Sequence, residues 1–163
     1  MSTTDELLEA NRAFAEGFDK GELPAAPARK VAVIACMDAR LDPAKALGFG
    51  DGDAHVIRNA GGIVGDEEIR SLAVSQHLLG TEEVVLIHHT GCGMLGLDEE
   101  ELAVRMESEA GRRPDFELRG FSDLEESVRE SIRRVTESPF VPHRESVRGF
   151  VYEVETGRLR EVK

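Results

Sequence analysis

Lysine is scarce in this sequence: among 20 basic residues only Lys20, Lys30, Lys45 and Lys163 are lysines. Acids number 32, which leaves a formal net charge of -12. A surface of that sign repels phosphate backbones, so nucleic acid is not an expected partner. The surplus of acids and arginines suits a salt-adapted or GC-rich source, which concerns solvation and codon use rather than function. No apolar run is long enough to span a bilayer, so no membrane partner is expected. The opening Ser2-Thr3-Thr4-Asp5-Glu6 is polar and acidic, unlike a secretory signal, which needs a basic start and then an apolar stretch. A cytoplasmic protein is the expectation. Cysteine is also rare, with only Cys36 and Cys92. A structural disulfide is disfavoured in the cytosol. Each cysteine has polar, reactive neighbours, so metal binding competes with the plainer reading of two buried thiols.

What is present points to one α/β domain. The length of 163 residues and a hydrophobic share of 40% allow a real core and argue against disorder. Val31-Ala32-Val33-Ile34-Ala35 is an apolar, β-branched run that reads as a strand buried on both faces. Ala54–Arg58 and Val84–His88 read as further strands, and Arg148–Val154 with Leu159–Val162 as a hairpin turning at Thr156-Gly157. Helices are expected between them. One starts at Asp42-Pro43. One, capped by Asp66, ends at Gly80. One opens at Asp98, and one follows a Ser122–Glu125 capping box. A first helix over about residues 4–19, capped by Thr3 with Glu6, carries Leu7, Phe14 and Phe18 on a narrow stripe that suits another subunit as well as its own domain. Strands alternating with helices predict a mainly parallel sheet flanked by helices.

The first strand ends in Cys36, Asp38 and Arg40 at every second position. If the backbone stays extended there, the three side chains point the same way. Ligands in open α/β sheets gather outside the carboxyl ends of strands. The third strand ends in His88-His89-Thr90-Gly91-Cys92-Gly93. Zinc takes thiolate and imidazole ligands, and a catalytic zinc keeps one position open beyond three protein ligands. Cys36, one of the two histidines, and Cys92 make such a set. Spacing alone does not choose between His88 and His89, which face opposite sides of an extended chain.

Three motifs, in order, carry a resemblance. They are Cys36-Met37-Asp38-Ala39-Arg40, then Arg58-Asn59-Ala60-Gly61-Gly62, then His89-Thr90-Gly91-Cys92-Gly93. Together they resemble the β-class carbonic anhydrases in their short form, over nearly the whole chain. The resemblance implies a single domain over 1–163, with a helical arm at 1–27 and a core at 28–163. It implies Cys36, His89 and Cys92 as ligands of Zn2+, which settles the histidine. It also implies an Asp38–Arg40 pair beside the metal, and an obligate homodimer whose first helix lies over the neighbouring subunit. Pairing of dimers into tetramers stays open.

The expected reaction is reversible hydration of CO2 to bicarbonate by zinc-bound hydroxide. Two thiolates donate more charge to zinc than imidazoles would, so best activity is expected on the alkaline side. Gly61 and Gly62 are expected to hold the small substrate near the metal. Asp38 is expected to orient the hydroxide or, in a closed state, to serve as a fourth ligand. Arg40 decides between the two roles. The alternatives are hydrolysis of carbonyl sulfide or carbon disulfide at the same site, and a non-catalytic zinc or redox-sensing protein. No proton shuttle is assigned; His55 and His77 read as ordinary histidines.

Overall fold

The computed structural model describes residues 2–163; Met1, the first residue of the expected arm, lies outside them. Five strands form one sheet in the order β2-β1-β3-β4-β5. They are β1 (Val31–Cys36), β2 (Ala54–Asn59), β3 (Glu83–His89), β4 (Val147–Tyr152) and β5 (Leu159–Val162). The first four run parallel, and β5 closes the edge antiparallel to β4. Parallel neighbours need crossovers. These carry the helices α2 (Pro43–Leu47), α3 (Asp66–Leu79), α4 (Glu99–Ala110) and α5 (Leu124–Thr136), which follow α1 (Thr3–Glu16).

The unbroken apolar run of β1 is explained by its place. It pairs on both edges and is covered on both faces, so Ala32, Val33, Ile34 and Ala35 have no exposed surface. On one face Ile34, Leu72, Leu86 and Val135 pack together; on the other, Val33, Ala35, Leu41 and Ile87 pack with Cys36 and Cys92. The second cluster therefore carries the thiols. At the α5–β4 contact, a Cβ on Gly149 would collide with Val128 and come within 2.8 Å of Ile132 Cδ1, so glycine there lets the helix lie directly on the strand.

Helix starts follow capping chemistry, with small shifts from expectation. Asp42, Asp98 and Asp123 accept from backbone N–H groups two or three residues on, and Pro43 takes the first turn of α2. The cap of α1 is Ser2 rather than Thr3. Ser2 has the extended backbone a cap requires, and it exchanges hydrogen bonds with Asp5 in place of the Thr3–Glu6 box. This helix also stops early, at Glu16, because Gly17 is a poor continuation. Asp66 is the first residue of α3 rather than its cap; Gly65 precedes it and donates its N–H to the Glu68 carboxylate at 2.9 Å. Asp123, not Ser122, caps α5.

No residue of α1 is buried; Leu7, Phe14 and Phe18 are 66%, 62% and 51% exposed. Among the described residues no helix is long and apolar enough to cross a membrane.

Candidate metal centre

Because β1 and β3 are parallel neighbours, their carboxyl ends lie side by side. Ala35 stands opposite Ile87, and His89 opposite Tyr152 of β4. Cys36 ends β1 and His89 ends β3; Gly91, at φ +63°, then turns the chain and brings Cys92 back to the same place. The sulfurs of Cys36 and Cys92 and a nitrogen of His89 all lie within 4.8 Å of one another, and all three residues are buried.

His89 is prepared for a metal. Its Nδ1 donates to the carbonyl of Thr90 at 2.9 Å. That bond fixes the tautomer and leaves a lone pair on Nε2, which is buried with no hydrogen-bond partner among the described residues. A buried acceptor left without a partner is costly. Two sulfurs and one such nitrogen form a soft donor set that fits zinc.

The electrostatics agree. Burial opposes ionisation of Cys36, but the nearby imidazole of His89 and the backbone N–H groups of Asp38 and Gly61 outweigh it and bring the thiol down to about 7. Burial, and then the charge of Cys36, push Cys92 up. The neighbouring Cys36 sulfur pulls His89 up against burial. One imidazole stabilises one thiolate but not two; a divalent cation would neutralise both.

His88 takes the other face, as alternation requires. It has no exposed surface, stacks near Phe121 with ring centroids 6.0 Å apart, and is driven down to about 4 by burial. It belongs to the packing of α5, where Ser131 Oγ lies 3.5 Å from its Nε2.

Asp38 and Arg40 meet, though not through an extended strand. β1 ends at Cys36, and the chain turns so that Leu41 N–H bonds the Asp38 carbonyl at 3.0 Å. Within that turn the Arg40 backbone N–H and its Nε donate to Asp38 Oδ1, each at 2.9 Å, and Nη2 donates to Oδ2 at 2.7 Å. These bonds hold the carboxyl well below the usual carboxylate range. Arg40 also donates to the Gly91 carbonyl at 3.0 Å, tying the two ligand loops together. Asp38 Oδ2 lies 3.6 Å from His89 Nε2, beside the cluster and outside its three donors.

Gly61 and Gly62 sit in a short 3-10 turn and are both buried. Gly62, at φ +71°, is forced by close approach: a Cβ there would lie 2.8 Å from Ile87 O and 2.9 Å from Cys36 N. Gly61, at φ +89°, is walled by Ile63 and Met94.

Arg58 has a role that its place in a motif did not disclose. Its guanidinium donates to the carbonyls of Cys36, Asp38 and Leu41 at 2.7–3.0 Å, stapling the turn that carries Asp38. A cation at the end of the strand beside β1 was the only signal for it in the sequence.

Known proteins share this sequence and fold. Residues 31–159 match the carbonic anhydrase family. The chain is 49% identical to beta-carbonic anhydrase 1 of Mycobacterium tuberculosis over 162 residues, covering 99% of both chains. It is 34% identical to a carbon disulfide hydrolase of Acidithiobacillus thiooxidans, over 81% of this chain and 76% of that one. Its fold superposes on the crystal structure of a carbonic anhydrase from Streptococcus mutans with a TM-score of 0.93 and 42% identity, covering 100% of this chain and 99% of that one. The family match over residues 31–159, together with full-length similarity in sequence and in fold, means that this chain belongs to the carbonic anhydrase family, in its β class.

Proposed function

We propose that this protein is a zinc-dependent carbonic anhydrase, interconverting CO2 and bicarbonate at Cys36, His89 and Cys92. The observation that carries this reading is the buried three-donor cluster beside an Asp38 already occupied by Arg40. Greater identity to a β-carbonic anhydrase, 49% against 34% for a carbon disulfide hydrolase, favours CO2 over its sulfur analogues. A purely structural zinc site would complete four tight protein ligands; here three donors cluster and the adjacent carboxylate is turned to arginine.

Zinc held there supplies Lewis acidity that brings the pKa of a bound water toward about 7. The rest of the work belongs to the chain. Asp38, kept ionised by Arg40, accepts a hydrogen bond from the attacking water and aims its free lone pair. Arg40 keeps that carboxylate off the ligand cluster by holding both of its oxygens. The Gly61-Gly62 turn, packed against Ile87 and Cys36 near the ends of the two strands, is assigned to the wall that holds the small substrate near the metal. The deciding experiment is stopped-flow CO2 hydration beside sulfide release from carbonyl sulfide and carbon disulfide, on protein of measured zinc content. CO2 hydration rising toward alkaline pH is expected. Stoichiometric zinc with no CO2 turnover from neutral to alkaline pH would overturn the proposal.

Arg40→Ala is expected to lower kcat by roughly 10–100-fold while zinc stays bound, the usual cost of losing a group that orients a residue at a metal. Unchanged turnover would remove Arg40 from the mechanism.

We take residues 1–27 as an arm on a core of 28–163, and the active unit as a cytoplasmic homodimer. The support is α1 and the turn after it, which expose Leu7, Phe14 and Phe18 and find no cover among the described residues of the chain. A Phe14→Asp, Phe18→Asp double variant is expected to sediment as a monomer where the parent sediments as a dimer. Equal sedimentation of the two would place the interface elsewhere.

A further inference from the structure

We propose that Thr90 and Glu155 are positioning residues that set how tightly the metal is held, by fixing the orientation of His89 from outside the cluster. The inference rests on the reading of Cys36, His89 and Cys92 as the zinc ligands.

Thr90 stands between the ligand strand and the β4–β5 turn, and every polar group it has is engaged. Its carbonyl accepts the Nδ1 proton of His89 at 2.9 Å. Its N–H donates to the Tyr152 carbonyl at 3.0 Å, as the last rung between β3 and β4. Its hydroxyl donates to Glu155 Oε2 at 3.0 Å and accepts the N–H of Val154 at 3.0 Å. Directly after it the chain reverses at Gly91. Residue 90 is therefore where the sheet's regular ladder ends, and a peptide there is free to rotate unless something holds it. The hydroxyl clamps it to the turn, which is itself closed by Gly157 N–H to Glu153 O at 2.8 Å and Thr156 Oγ1 to Glu153 Oε2 at 2.8 Å. With the peptide fixed, the carbonyl stays aimed at Nδ1, and the opposite nitrogen stays aimed at the metal. Partners of this kind are worth about 10–100-fold in metal affinity.

Glu155 is exposed, so its bond contributes less than the one from Val154. This ordering gives a graded test on the zinc-loaded, full-length protein, read as the rate of zinc release to a chromogenic chelator. Thr90→Val loses both hydroxyl bonds and is expected to release zinc about 10–100-fold faster. Glu155→Ala falls between that variant and the parent. Thr90→Ser keeps the hydroxyl and Glu155→Gln keeps an acceptor oxygen, so both stay at the parental rate. The melting temperature of metal-free Glu155→Ala separates positioning from general loosening: because Glu155 is exposed, it should match the metal-free parent. Parental release from both Thr90→Val and Glu155→Ala overturns the inference, as does faster release explained by an equal loss of metal-free stability. If Thr90→Val does not fold, the comparison of Glu155→Ala with Glu155→Gln decides alone. A parent that takes up no zinc overturns the underlying reading, and this inference with it.

Discussion

Cys92→Ser is expected to abolish zinc retention and to lower CO2 hydration on the order of a thousandfold or more, while the sheet remains folded. Serine matches cysteine in shape but offers a hard hydroxyl that stays protonated near neutrality, where zinc needs a thiolate or imidazole. The loss should reach the reaction in full, since the metal is what makes a water nucleophilic at neutral pH. The fold should survive because Cys92 lies beyond the end of β3, whereas the centre of the sheet is held by Ile34, Leu72, Leu86 and Val135. Metal analysis after dialysis, stopped-flow hydration and circular dichroism check the three parts. A serine variant that keeps stoichiometric zinc and parental turnover would remove Cys92 from the site. Cys36→Ser should behave alike, and more severely if the thiolate favoured at that position carries the larger share of the charge.

Gly62→Ala is expected to destabilise the protein by about 3 kcal/mol or more. Two separate costs add. A non-glycine residue at φ +71° costs roughly 1–2 kcal/mol by itself. The added Cβ would also press against Ile87 O at 2.8 Å and Cys36 N at 2.9 Å, which are backbone atoms of the two central strands and do not yield as a side chain would. Overpacking of that kind costs a further ~1–3 kcal/mol. For a chain of this size the sum corresponds to a fall in Tm of roughly 6–12 °C. Gly111→Ala is the control. It has a similar φ of +74°, but nothing lies within 4 Å of its Cβ, so only the first cost applies. Equal melting of the two variants would show that close approach is not what requires glycine at 62. Since Cys36 N begins the turn toward Asp38, zinc retention in Gly62→Ala should fall as well.

The parts that could be read from the chain alone are those governed by near neighbours. The β-branched run from Val31 announced a doubly covered strand, and Pro43, Gly80 and Asp98 marked their helix ends as local sterics and capping dictate. Errors arose where two candidates stood side by side. Ser2 and Thr3 are both good caps, as are Ser122 and Asp123, and the choice depends on where the backbone first bends. The alternation of Cys36, Asp38 and Arg40 suggested a common direction on an extended strand. The three do gather, but through a turn, and the force holding that turn comes from Arg58 on the neighbouring strand. Thr90 stood in a motif that gave no hint of its partner, and Glu155 carried no local signal, because their bond joins positions brought together only by the pairing of β3 with β4. His88 and His89 were equivalent by spacing; the distinction is that one ring enters the packing of α5 and the other meets two sulfurs.

The strand order has a bearing on how the protein is made. β1 emerges from the ribosome first and can pair with β2 soon after, yet β3 must still slot in on its other side. Until then the Cys36 thiol waits at an unfinished edge, open to oxidants, with β3 and Cys92, which pack beside it, still unsynthesised. On the proposed reading, zinc would load only once His89 and Cys92 have been made, and closure of the sheet, which buries Cys36, is what shields its sulfur.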